Sequence, residues 1–319
     1  MHPPMPTQEL QLNLREAKMS KKKFALYLGC TVPVRAQNYE LSARLIAKHF
    51  GIELVDIPSF TCCGFPIKSV DQRSSLVMAA RNLALAEKQG LDMVTLCTAC
   101  TGTQVEANHQ LKHDVKKLAQ VNEILKKEDL EYKGTVNVRH FARVLYEDIG
   151  IERIKQEVKV DLQSLPVAAH PGCHFFKPSE AFENFDDPEN PHVYDDLINA
   201  TGARSNPYSE RELCCGGAIL GIRVDVAYAM AGKKLASIKD SGSEAMILIC
   251  PFCNVMYEQN QKKIEKELEQ KFAMPCIYYT QLLGLALGYT PDELGFKINR
   301  VKPTKILERI GAVSEKPAG

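Results

Sequence analysis

Apolar residues in this chain gather into short continuous runs, separated by longer amphipathic stretches. Phe24-Ala25-Leu26-Tyr27-Leu28 runs into Gly29-Cys30, and Met93-Val94-Thr95-Leu96 into Cys97. Further on, Val167-Ala168-Ala169-His170 runs through Pro171-Gly172 into Cys173, and Ala245-Met246-Ile247-Leu248-Ile249 into Cys250. Each half then closes on a similar tail, Val136–Leu145 and Cys276–Leu285. Short apolar runs bounded by turns read as strands buried on both faces. The stretches between them carry helical spacing. Tyr39–Phe50 has apolar residues at Leu41, Leu45 and Ile46, and Gln72–Lys88 is rich in Ala and Leu. Asp225–Ile238 and Met256–Phe272 also read as helices, the last with Glu258, Lys262, Lys263, Glu265 and Lys266 on its outer face. Strands alternating with helices predict parallel βαβ units. The expected fold class is therefore α/β: two similar Rossmann-like parallel-sheet domains related by pseudo-two-fold symmetry. The cysteines fall just past the carboxyl ends of the strands, where open α/β sheets place ligands.

A length of 319 residues agrees with two domains. Residues 1–20 are polar and aperiodic, an expected disordered lead in which Met19 offers a second start. The first domain is expected over 21–150, the second over 151–295, and a C-terminal tail over 296–319. Glu128–Gly134 and the charged Glu152–Val160 are the expected hinge. Pro178–Pro191, acidic and proline-bearing, reads as a surface excursion.

Charge and hydropathy exclude more than they identify. With 40 basic and 39 acidic residues the formal net charge is +1, which points neither to nucleic acid nor to an anionic membrane surface. No run approaches the roughly 18–20 apolar residues of a membrane span. Lys21-Lys22-Lys23 ahead of Phe24–Leu28, Gly29 and Cys30 imitates a lipoprotein signal. Its apolar part is too short for the roughly 7–15 residues that a signal needs. The expected location is cytoplasmic.

The cysteines carry the chemistry. Ten of the eleven form two copies of one pattern: Cys30, Cys62-Cys63-Gly64 and Cys97-x-x-Cys100, then Cys173, Cys214-Cys215-Gly216 and Cys250-x-x-Cys253. The intervening gaps from single cysteine to doublet are 31 and 40 residues, and those from doublet to the paired cysteines are 33 and 34. Disulfide frameworks belong to small secreted domains, and adjacent cysteines pair poorly with each other. Thiolates at this density hold metal. A four-cysteine zinc site in one half is one reading, but it leaves a cysteine over. An iron–sulfur site suits the doublet better, because neighbouring thiolates can reach different irons of one cluster. A closed four-iron cube takes one cysteine per iron, so a fifth must bridge, wait as a spare or belong to an opened cluster.

Over residues 24–290 this arrangement resembles the cysteine-rich CCG family, and within it the B-type subunits of heterodisulfide reductases, sulfur-oxidising homologues included. The resemblance implies an unusual noncubane [4Fe–4S] cluster in each half. Cys30, Cys62, Cys63, Cys97 and Cys100 would hold the first; Cys173, Cys214, Cys215, Cys250 and Cys253 would hold the second. It further implies a disulfide bound between two facing clusters and cleaved reductively, or formed in reverse, as an oxidoreductase working within a multi-subunit complex. Electrons would come from a C-type, ferredoxin-like iron–sulfur subunit, which an A-type flavoprotein subunit would serve in turn. A coenzyme M–coenzyme B heterodisulfide would suit methanogenesis, and a sulfur-carrier-bound persulfide would suit sulfur oxidation. The competing expectations are an electron-transfer, quinone-linked subunit of a succinate- or lactate-oxidising complex, and one active cluster beside a structural zinc.

Other residues are read more plainly. His170 and His174 flank Cys173 and are candidates to tune the second site or to protonate a product thiolate, against an ordinary packed or surface role. His140 reads as structural and Cys276 as a buried spare thiol. Lys68, Arg73 and Arg223 follow the doublets and read as solvated charges. Gly216-Gly217 with Gly221 is a weak phosphate-loop signal. Lys297–Lys305 is basic without being convincingly amphipathic.

Overall fold

The computed structural model describes residues 22–312; the expected disordered lead and the end of the tail lie outside them. Eight strands form two four-stranded sheets. In the first half these are β1 (Lys23–Tyr27), β2 (Glu53–Asp56), β3 (Asp92–Thr95) and β4 (Val138–His140). In the second they are β5 (Pro166–His170), β6 (Arg204–Ser205), β7 (Ala245–Leu248) and β8 (Cys276–Tyr278). The strand orders, β2-β1-β3-β4 and β6-β5-β7-β8, are the same order written twice. All six pairings are parallel. The fold class is as the sequence predicts.

Burial explains the central strands. Ala25, Leu26 and Tyr27 of β1, and every residue of β7, are buried because helices cover both faces of each sheet. The helix Gln72–Lys88 has the predicted bounds, and Asp71 caps it by accepting from the Ser74 amide. Its counterpart runs Val224–Asp240.

Three expectations are corrected. Met256–Phe272 is not one helix. The chain forms Pro251–Asn254, a π-turn over Val255–Gln259 and then Gln261–Glu267. Buried side chains close the break: Asn254 donates to the Glu258 carboxylate, and Gln261 bonds the backbone of Met274. Glu128–Gly134 is no hinge between halves, because β4 follows it within the first half, and buried Tyr132 ties it to Asn108 and Asn122. The connector over 152–160 is largely the helix Ile151–Glu157, and its end is held where Lys159 and Val160 donate to the Ala286 carbonyl.

The halves are packed together. Tyr39 stacks on Tyr278 with ring centroids 4.2 Å apart and donates to the Ile249 carbonyl at 3.2 Å. Ser42 meets Thr280 at 2.6 Å. Residues beyond 295 join this interface: buried Asn299 bonds Asn38 of the first half and Gln281 of the second.

Candidate metal centre

The cysteines of the two sets lie in the loops and helix starts that follow the parallel strands. Gly29-Cys30 and Gly172-Cys173 follow β1 and β5, and Cys97 and Cys250 follow β3 and β7 as helix N-caps. Cys100 and Cys253 stand one turn into those helices. The doublets end in Gly64 and Gly216, both in the left-handed region at φ 88° and 78°. There the loop turns away so that its amides face sulfur: Gly64 N–H points at Cys62 Sγ (3.5 Å), Gly216 N–H at Cys214 Sγ (3.4 Å) and Gly217 N–H at Cys215 Sγ (3.3 Å).

Burial repeats position by position. Cys30 and Cys173 are exposed, Cys62 and Cys214 half-buried, and Cys63, Cys97, Cys100, Cys215, Cys250 and Cys253 buried. Each site is thus a buried floor with one exposed thiol at its mouth. All eleven cysteines are free thiols. Across the interface Cys97 Sγ and Cys250 Sγ stand 3.9 Å apart, so the two sets abut without a disulfide. Close approach needs glycine here: a Cβ on Gly102 would lie 2.8 Å from the His174 Cβ of the other half.

The thiols govern one another's ionisation. Contact with Cys100, then Cys62, holds the Cys63 thiol down at about 3. Contact with Cys173, then Cys215, holds Cys214 at about 2. Their neighbours are pushed up: Cys100 by Cys63 and Cys97, and Cys215 to about 12 by Cys214. In the second set Cys250 too lies well below the ordinary thiol value: burial opposes this, and contact with Cys253 and Cys97 outweighs it. Each set thus gives up some protons readily, while the thiols pushed up resist unless bound metal supplies positive charge. Among the described residues no three or more His, Cys, Asp or Glu side chains close on one point as the ligands of a single ion do.

Orphaned polar groups flank both sets. The Gln104 amide and the Tyr257 hydroxyl are buried without a partner and stand at matching places, one turn beyond each pair of cysteines. His170 Nε2 and His174 Nδ1 are likewise buried and unpartnered. Buried donors are normally satisfied. Four orphans around ten thiols fit a sulfur-rich anionic group whose atoms accept hydrogen bonds, as an iron–sulfur cluster does. Sequence reading passed over Gln104, Tyr257, Tyr27 and Lys234. Lys234 had a signal, since it interrupts the apolar stripe Ala227, Ala231, Leu235 and Ile238.

The remaining candidates lie elsewhere. His140 Nε2–H donates to the Ile249 carbonyl at 3.0 Å, a contact between halves. Cys276 is fully buried, with Sγ 3.8 Å from the Met274 carbonyl. Lys68 pairs with Glu106 and Arg223 with Asp225, while Arg73 is exposed. Gly221 meets nothing within 4 Å of an added Cβ. Pro178–Pro191 runs along the surface but is anchored by buried Phe182 and Asp186.

These features define a class: a duplicated α/β protein with a matching set of five cysteines in each half. The chain belongs to the cysteine-rich CCG family, whose Cysteine-rich domain model matches residues 24–103 and 167–258. It is 36% identical to the B-type subunit of the ferredoxin:CoB-CoM heterodisulfide reductase of Methanosarcina mazei, over 92% of this chain and 98% of that one. It is 32% identical to the 8-methylmenaquinol:fumarate reductase membrane anchor subunit of Wolinella succinogenes, over 90% of this chain and 99% of that one. A solved structure, a hypothetical protein from Helicobacter pylori, superposes with a TM-score of 0.72 at 19% identity. That match covers 88% of this chain and 52% of the solved one, and it shows the fold alone. Among the described residues no helix is long and apolar enough to cross a membrane.

Proposed function

We propose that this chain is the iron–sulfur subunit of a heterodisulfide-reductase-type oxidoreductase, reducing or forming a disulfide between its two cysteine sets. The observation that carries this reading is the abutment of two equivalent sets, with Cys97 and Cys250 sulfurs 3.9 Å apart. A disulfide needs two electrons, and an iron–sulfur cluster bound at each set supplies one electron at a time. Two adjacent sites answer that need where a lone relay site does not.

Cys30, Cys62, Cys63, Cys97 and Cys100 hold the first cluster in this reading, and Cys173, Cys214, Cys215, Cys250 and Cys253 the second. Five thiols per set favour an opened, noncubane [4Fe–4S] form. Exposed Cys30 and Cys173 mark the open sides by which a small substrate enters. The buried floor excludes water from Cys63, Cys97, Cys100, Cys215, Cys250 and Cys253. The name of the Methanosarcina relative supports a CoB-CoM heterodisulfide as substrate class and ferredoxin as the electron source. In this reading a ferredoxin-like iron–sulfur subunit, served by a flavoprotein subunit, delivers the electrons, as the family resemblance implies. The Wolinella relative supports a second reading, in which the chain links a quinol to another protein of its complex.

The test is single-site replacement. Cys63→Ala and Cys215→Ala each remove about half the bound iron, and either abolishes disulfide reduction while dye-driven electron uptake persists at the intact site. Near-parental turnover by the Cys63→Ala protein overturns the paired-site mechanism. Turnover with a menaquinol but not with a disulfide selects the quinol-linked reading.

A further inference from the structure

The two halves repeat a fold but not a charge. Aligning the doublets and the helices that follow them sets Asn82 opposite Lys234. Aligning the Gly-Cys ends of β1 and β5 sets Tyr27 opposite His170. All four side chains are buried behind their doublets. In the first half the pair is neutral. Asn82 Nδ2 donates to the carbonyls of Met78 (3.0 Å) and Cys62 (3.2 Å), and Tyr27 donates to the Thr61 carbonyl at 2.5 Å. In the second half Lys234 Nζ is ringed by the Leu213 carbonyl (2.5 Å), the Arg211 carbonyl (2.8 Å) and His170 Nδ1 (3.2 Å).

Three acceptors around one nitrogen match the three N–H groups of an ammonium ion. None of the three is a carboxylate, so this buried charge has no ion-pair partner of its own. Burying an unpaired charge is costly unless an anion compensates. Burial lowers the Lys234 ammonium to about 8, while the sulfurs of Cys253 and Cys215, the Glu212 carboxylate and Cys214 favour the charged form. At the corresponding place behind the first set stands the neutral Asn82.

We propose that Lys234 is a positioning residue for charge, and that it makes the second cysteine set the stronger electron acceptor of the two. The inference rests on the reading that each set holds an iron–sulfur cluster. One-electron reduction adds one negative charge to a site, and a fixed cation in a low-dielectric interior stabilises the more anionic state. A one-electron donor of the ferredoxin class loses the electron that the site gains. No bond forms or breaks, and no proton is required. Reducing equivalents therefore collect at the Cys173 side first. His170 strengthens the effect: its Nδ1 accepts from Lys234, so the proton sits on Nε2, which is left without a protein partner beside Cys250 and Cys214.

The experiment is a spin-resonance-monitored potentiometric titration of the anaerobic, iron- and sulfide-loaded full chain, with dithionite as reductant. The parent shows two one-electron midpoints, and the upper one vanishes in Cys215→Ala. Lys234→Met lowers the upper midpoint by at least about 59 mV, a tenfold weaker electron uptake, and leaves the lower one unmoved. The exchange His170→Tyr with Lys234→Asn does the same, using a pair that already packs in this fold, and Asn82→Lys raises the lower midpoint. An unmoved upper midpoint at parental iron content overturns the proposal, as does survival of the upper signal in Cys215→Ala. Loss of iron from the second site in both Lys234 variants assigns the residue to loop structure and also overturns it. A parent that binds no iron at the second site removes this inference and the functional reading together. Iron at both sites without disulfide turnover overturns only the functional reading, and the midpoints still decide the role of Lys234.

Discussion

His140 shows how much one buried side chain can decide. Its Nε2–H donates to Ile249 across the interface, and its Nδ1 accepts from the Ala142 amide at 3.1 Å. Both nitrogens are used, so an added proton on Nδ1 would face an N–H donor. Burial above all holds the imidazole down at about 4. The folded chain therefore refuses a proton that the unfolded chain takes up near the ordinary histidine value. Stability from this residue is fully present above about pH 6.5, declines as pH falls towards 4 and is flat below that. Over that window the loss approaches about 3 kcal/mol. Urea unfolding at pH 7 and pH 5 measures it. The difference between parent and His140→Asn should shrink on acidification, and an unchanged difference would mean that the ring takes up protons alike in the folded and unfolded chains.

At the scale of the element, the doublet loops are held by a backbone that only glycine adopts cheaply. Gly64 has φ 88°, and a Cβ there would lie 2.9 Å from the Ser75 backbone. Gly216 repeats the geometry, with a Cβ 3.0 Å from the Ala227 carbonyl oxygen. Gly64→Ala thus carries about 1–2 kcal/mol of left-handed strain, and contact with Ser75 adds to it. A lowered thermal midpoint and lost iron at the first set are expected, with the second set still loaded. Thermal melts with iron analysis read both. Full iron with parental stability would mean that the turn relaxes without cost.

At the scale of the molecule, the site exists only because the halves are locked together. Tyr39, stacked on Tyr278 and bonded to Ile249, is the centre of that lock. Tyr39→Phe loses one hydrogen bond, about 1 kcal/mol. Tyr39→Ala also opens a cavity between the halves and costs about 3–5 kcal/mol. Denaturant unfolding should show the ranking Phe above Ala, with the Ala variant separating into two transitions. A single sharp transition in Tyr39→Ala would mean that the remaining contacts suffice to couple the halves.

The chain by itself determined its central strands, its duplication and the identity of its thiols, but not the edge strands Glu53–Asp56 and Arg204–Ser205, which are short and partly exposed. The former were legible because apolar runs and cysteine spacing are local, and local patterns repeat visibly when a fold is repeated. The helix Gln72–Lys88 was readable to the residue, since its cap and apolar spacing lie within its own segment. The break after Asn254 was not, because its stabilising partners at Met274 and Arg300 are brought in by tertiary packing. The connector at Glu128–Gly134 looked like a hinge because its charges are visible in sequence, while the burial of Tyr132 is not. Tertiary structure alone decided that the sets abut at Cys97 and Cys250, that Gln104 and Tyr257 stand unpartnered beside them, and that a cation lies behind one set and an amide behind the other. Each of these depends on residues far apart in the chain meeting in a dry interior, where distance and dielectric set the energy of a charge and sequence position does not.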